Sequence, residues 1–178
     1  MEAVVTNPQL QQYRQNQIKV DADFIKGVSN PILFRLFLLQ QLPMGFLAGL
    51  RVKSLSLEKC EVTVPYKWLN KNPFRSTYFA VLAMAAEMSS GMLSMMGTHK
   101  SKPSVAVLVT GIEAEFVKKA TGITTFTCEE GKKIRETIER AITTGEGQTC
   151  TTVSTGVSQD GVVEARFRVT WSFKARKK

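Results

Sequence analysis

Glu87 is the one carboxylate in the stretch from Asn72 to Gly91, NPFRSTYFAVLAMAAEMSSG, and the one charged residue between Arg75 and His99. An ionised side chain among Ala, Met, Leu, Phe and Tyr is costly to bury, so it is kept paired, neutralised or in use. In use, a carboxylate whose pKa is raised by apolar surroundings can activate water as a general base or attack a carbonyl carbon itself. Asn72, ahead of Pro73, can orient that water or serve only as a turn residue. Ser90, one turn beyond Glu87, is placed to hold its carboxylate. The duller alternative is a structural buried acid bonded to Ser90 or to a second subunit.

The element that must carry Glu87 reads as a helix apolar almost all round. Leu82, Ala85, Ala86 and Ser89 share one face, while Ala83, Glu87, Ser90 and Ser94 share another. Ser76 and Thr77 are expected to cap its start and Gly97 to stop it. Such a helix is wrapped by other layers or spans a membrane. The mid-helix acid, the Ala, Met and Ser content and the flanking strand patterns favour a core helix and no stable membrane insertion. Its methionines, Met84, Met88, Met92, Met95 and Met96, read as packing or as a flexible wall for an acyl chain.

The chain has 178 residues, 43% of them hydrophobic, which suits one compact domain with a real core. The N-terminal MEAVVTNPQLQQYRQNQ lacks the pattern of a secretory leader, so a cytoplasmic protein is expected. Cys60, Cys128 and Cys150 are odd in number and widely spaced, and His99 is the single histidine. That argues against a disulfide framework, a metal site or a histidine-based nucleophile system. The formal charge of +9 favours anionic partners but is spread along the chain, densest in the tail KARKK. With no phosphate-binding glycine motif and no RNA-binding aromatic motif, no nucleic-acid partner is expected.

Along the rest of the chain, residues 1–45 read as a helical extension. Gln9 to Lys19 is a polar helix expected to fray, and Asn30-Pro31 caps ILFRLFLLQQ, whose apolar surface must lie under something. Residues 46–178 read as the main domain. A strand from Phe46 to Leu57 switches parity, which implies a bulge near Lys53 and Ser54, and a turn at Glu58-Lys59 leads to a strand at Cys60, Val62 and Val64. Strands follow over Ser104–Val117 and Thr121–Glu129. A short amphipathic surface helix is expected over Gly131–Thr143, with Glu136 paired to Arg140. Strands Gln148–Ser158 and Val162–Phe173 flank the hairpin signal Asp160-Gly161, with Glu164, Arg166, Arg168 and Thr170 facing out. Without βαβ alternation, this is an α+β fold, an antiparallel sheet wrapped around a long helix.

The arrangement over Phe46 to Phe173 resembles the hotdog fold. The segment from Asn72 to Gly91 resembles the thioesterases of the phenylacetate-pathway type and the DUF4442 group. Those proteins carry an Asn in the loop, a His-Gly-Gly or His-Ala-Gly start to the helix, and a Glu or Asp two turns later. Here Asn72 stands at the Asn position, Tyr78-Phe79-Ala80 at the helix start, Glu87 at the acid and Gly91 at a small position beyond it. The resemblance implies a homodimer, possible pairing of dimers, and an acyl-CoA or acyl-carrier-protein thioester as substrate. Glu87 and Asn72 would be catalytic. The amides around Phe79 and Ala80 would form an oxyanion hole. Tyr78, Ser90 and the basic Lys100 and Lys102 would contact substrate. Coenzyme A enters only as part of the substrate, with no cofactor. Tyr78-Phe79-Ala80 departs from the group's pattern, adding bulk where glycines stand and lacking the His. The alternative is therefore a non-catalytic hotdog module that binds an acyl or lipid ligand. A hotdog dehydratase, which pairs a His with an acid, ranks lower because His99 is far from Glu87 in sequence.

Overall fold

Three helices at the N-terminal side each begin with a proline, whose missing N–H and fixed φ suit the first helical position. This computed structural model describes residues 7–176. Residues 1–6, on which the reading of the N-terminus partly rests, and Lys177 and Lys178 of the basic tail lie outside the described residues. Helix α1 (Pro8–Ser29) does not stop at Lys19 but continues as one rod of 22 residues. Its polar residues are anchored instead of frayed. Arg14 pairs with Glu139, Arg135 pairs with the buried Asp21 at 2.6 Å, and Gln17 donates to the Met96 carbonyl at 2.8 Å.

Asn30 caps α2 (Pro31–Gln41) as its sequence suggests, accepting from the amides of Ile32 and Leu33 at 3.0 and 3.1 Å. Only Phe34 and Leu38 of α2 are buried. Ile32, Leu33, Leu36 and Leu39 face outward and are at least half exposed, so the expectation that the whole helix lies covered is corrected: the domain packs one side of it. The strand expected from Phe46 begins later. Pro43–Ala48 is a helical turn and a half, α3, ended by Gly49 at φ 81°, and the first strand starts at Arg51.

The six strands are β1 (Arg51–Leu55), β2 (Cys60–Pro65), β3 (Val105–Phe116), β4 (Ile123–Cys128), β5 (Gln148–Ser158) and β6 (Val163–Ala175). They form one antiparallel sheet in the order β1-β2-β4-β5-β6-β3. The bulge expected in β1 lies between Val52 and Ser54. Gly161, at φ 79°, turns the β5–β6 hairpin. The sheet curls around α4 (Phe79–Thr98), which packs against all six strands, so the apolar rod is a core helix. By length and composition α4 could cross a membrane, yet most of that window is buried in the fold.

Helix α5 (Gly131–Thr144) is no mere surface cover. Ile134, Ile138, Ala141 and Ile142 are buried, and α1 lies across it. Arg140 donates to the hydroxyl of Thr137, one turn before it, at 2.9 Å instead of pairing with Glu136. Glu164 also departs from the expected outward side. A register shift between Gly156 and Val157 re-aims this end of β6, and Glu164 is buried with the Thr124 hydroxyl donating to it at 2.6 Å.

Candidate functional site

Two turns into α4, Glu87 points toward the end of the sheet formed by β6 and the edge strand β3. Its carboxyl group is half-buried and, among the described residues, makes no side-chain hydrogen bond or ion pair. Burial raises its pKa above the ordinary carboxylate value, with no opposing cation to lower it. The group is not sealed. It lines a cavity of about 410 Å³ between α4, β3 and Trp171 of β6, walled by Met88, Met92, Met95 and Val107 to Val109, with Leu42 at one edge. Gly91 keeps this space open, because a Cβ there would lie 3.0 Å from Glu87 Oε1 and 3.4 Å from the Trp171 ring.

Ser90 does not hold the carboxylate. Its hydroxyl donates to the Glu87 backbone carbonyl at 3.2 Å and accepts from Trp171 Nε1 at 3.0 Å. Trp171, read from the sequence only as an inward strand residue, is thereby fixed as the wall of the Glu87 cavity. Nothing in its alternating pattern marks it as different from its neighbours in β6.

The start of α4 forms a second cavity, of about 620 Å³, lined by Asn72, Tyr78, Phe79, Leu82 and Phe116. Ser76 and Thr77 do not cap the helix. Tyr78 is the N-cap residue and supplies no side-chain bond, so the amides of Phe79 and Ala80 have no capping partner. Ser76 instead serves Asn72. Asn72 Oδ1 accepts from the amides of Phe74 and Ser76 at 2.9 and 3.2 Å, and Nδ2 donates to Ser76 Oγ at 3.1 Å. Phe79 is 55% exposed, edge-on against Tyr78 with ring centroids 4.8 Å apart and 6.4 Å from the ring of Phe116.

Within one chain the expected site residues therefore fall into separate places. Asn72, Tyr78, Phe79 and Ala80 sit at the helix start, while Glu87 and Ser90 lie about 12 and 16 Å further along α4. Lys100 lies on the rim of a cavity between α1, α2 and α4, and Lys102 lines another beside Pro103 and Arg176. His99 is exposed on the far end of α4, its ring 5.5 Å from that of Phe24. Among the described residues, no group of three His, Cys, Asp or Glu side chains is placed to hold a metal ion.

The family described as a domain of unknown function, DUF4442, matches residues 29–172. Among solved structures, a protein of unknown function from Pseudomonas aeruginosa, described as a probable thioesterase, superposes with a TM-score of 0.68 at 18% sequence identity, covering 82% of this chain and 97% of its own. The PaaI protein of the phenylacetic acid degradation operon of E. coli superposes with a TM-score of 0.59 at 13% identity, covering 86% of this chain and 96% of its own. A thioesterase from Haemophilus influenzae gives 0.54 at 14%, covering 79% and 88%. No curated protein matches the chain. These likenesses identify the fold as a hotdog.

Proposed function

This chain belongs to the DUF4442 family, and on that footing we propose that it is an acyl thioesterase acting on coenzyme A or acyl-carrier-protein esters in the cytoplasm. The observation that carries the reading is Glu87: a half-buried, unpaired acid, raised in pKa, facing an open cavity walled by methionines and a tryptophan. A carboxylate in that state is basic enough to take a proton from water, or can attack the thioester carbonyl itself.

The uncapped amides of Phe79 and Ala80 supply the other requirement, a pair of donors at a helix N-terminus for the developing oxyanion. They stand too far from Glu87 along one helix to share a substrate carbonyl with it. A two-fold pairing of α4 with its copy brings the helix start of one chain to the acid of the other. Two features support a homodimer of this kind. Strand β3 is a long sheet edge with Leu108, Ile112 and Phe116 about half exposed or more, a surface that in isolation invites pairing. The open side of α4 presents Ala80, Ala83, Glu87 and Gly91, small enough for close approach apart from the acid. Pairing of dimers is a further step of the same kind. In this reading coenzyme A is part of the substrate, and no separate cofactor takes part. Lys100 and Lys102 line cavities other than that of Glu87, and in this reading they contact its phosphates from a neighbouring chain.

Hydrolysis of short, medium, long and aromatic acyl-CoA esters by the protein and by Glu87→Gln tests this. A loss of roughly 10²- to 10⁴-fold in kcat is expected. Equal rates for the two proteins sink the assignment.

A second reading, a non-catalytic module that binds an acyl or lipid ligand, is favoured by one observation. Asn72 spends both its amide nitrogen and its oxygen inside its own loop. No turnover of any ester, together with an acyl ligand retained in native mass spectrometry, decides for the binder.

A further inference from the structure

The side of α4 away from the sheet edge meets α1 and α2 around a cavity of about 480 Å³ that catalysis at Glu87 does not use. That volume falls in the range of about 300–1,000 Å³ typical of small-molecule sites. Its floor is apolar and comes from all three helices: Val20, Phe24 and Val28 of α1, Phe34 and Phe37 of α2, and Met92 of α4. Polar side chains gather at one end only. There Lys19 and Lys100 face solvent beside Asp23 and His99. Away from these, at Phe37 and Met92, the lining is hydrocarbon.

This end is also held rigid. The Asn16 side chain donates to the Lys100 carbonyl at 3.0 Å, and Gln17 donates to the carbonyls of Met96 and His99 at 2.8 and 3.3 Å. These bonds tie the middle of α1 to the end of α4, so the two lysines that lie on different elements stay at one mouth.

An apolar trough with two cations against one aspartate at its mouth is matched by one kind of molecule, a single alkyl chain ending in an anionic head. We propose that the α1–α2–α4 cavity is a binding site for such a monoacyl anion, of which a fatty acid is the simplest, with its head between Lys19 and Lys100 and its tail on Phe34, Phe37 and Met92. The site is separate from the Glu87 cavity. The two share only Met92 and Met95, whose flexible side chains form the wall between them. The N-terminal helices thus have a use of their own: without α1 and α2 the floor of this trough does not exist. Nothing in this inference requires the protein to hydrolyse thioesters.

Calorimetric titration of the full chain with hexadecanoate tests it, with hexadecyltrimethylammonium as a probe of the same chain length and opposite charge. Saturable binding of one hexadecanoate per chain is expected, with the cation binding at least tenfold more weakly, about 1.4 kcal/mol. Lys19→Glu, at an exposed position, reverses the charge at the mouth and is expected to weaken hexadecanoate roughly tenfold. Val28→Trp fills the floor and should remove binding, while Gly91→Leu, which fills the Glu87 cavity instead, should leave it unchanged. Thermal unfolding of each variant shows that it is folded. Absence of saturable binding to the unmodified protein overturns the proposal. So does equal affinity for the two probes, or loss of binding in Gly91→Leu with retention in Val28→Trp.

Discussion

If Glu87 and the amides at the start of α4 serve one substrate from opposite chains, two inactive variants should rescue each other. The first is Glu87→Gln, which removes the base. The second is Phe79→Pro, which removes an N–H at the first helical position, where proline is well tolerated. Tyr78 before it is already extended, at φ −62° and ψ 135°, as a residue preceding proline must be. The magnitude follows from geometry and counting. About 12 Å of helix separates Phe79 from Glu87, so a site cannot draw both groups from one chain. Random pairing of equal amounts of the two variants makes about half of all dimers mixed, and each mixed dimer assembles one intact site of two. About a quarter of the unmodified activity should therefore return. The assay is acyl-CoA hydrolysis after the two proteins are unfolded together and refolded, beside each variant treated alone. Phe79→Ala, which keeps the N–H, separates loss of the donor from loss of the ring. If each site lay within one chain, every mixed dimer would carry two broken sites. A mixture no more active than its parents therefore refutes the cross-chain arrangement.

Glu87 also makes a prediction for stability. Burial raises its pKa in the folded state, so between the ordinary carboxylate range and that raised value the folded protein binds more protons than the unfolded chain. Stability attributable to this group therefore falls as pH rises through that window. Glu87→Gln has no such proton to lose, so it should be the more stable protein at neutral pH and lose its advantage below the usual carboxylate range, as read from urea unfolding at several pH values. Ser90→Ala leaves the buried Trp171 N–H without its acceptor and should cost about 1–3 kcal/mol by chemical denaturation. Gly131→Ala drives a Cβ into the Leu57 backbone carbonyl, which cannot swing aside like a side chain, and should destabilise by about 1–3 kcal/mol or more. A melting temperature equal to that of the parent protein contradicts the packing described at that turn.

Much of the architecture is legible along the chain because it rests on local rules. The apolar run carrying Glu87, the Asn30 cap, the parity switch in β1 and the Asp160-Gly161 turn each show in a few adjacent residues, and each is found where expected. Where reading fails, a distant partner decides. The polar face of α1 looks frayed until Glu139, Arg135 and the Met96 carbonyl are brought to it from far along the chain. Phe46 to Ala48 reads as the start of a strand but completes the helical turn that begins at Pro43, and Gly49 ends that turn in the left-handed conformation. Glu164 reads as outward until a bulge at its own position in β6 and the Thr124 hydroxyl take it inside.

The same division runs through the site. A lone acid in an apolar helix is a statement of composition, so its cost on burial and its raised pKa follow from the sequence. Composition cannot say that the acid opens onto a cavity, that Ser90 turns to Trp171 instead, or that Asn72 closes its own loop. The cavity and the Ser90 bond depend on what β3 and β6 bring beside α4, and the Asn72 bonds on how its loop folds back on Phe74 and Ser76, all matters of three-dimensional distance. Local pattern chose the helix and its unusual charge; the curl of the sheet chose what that charge faces.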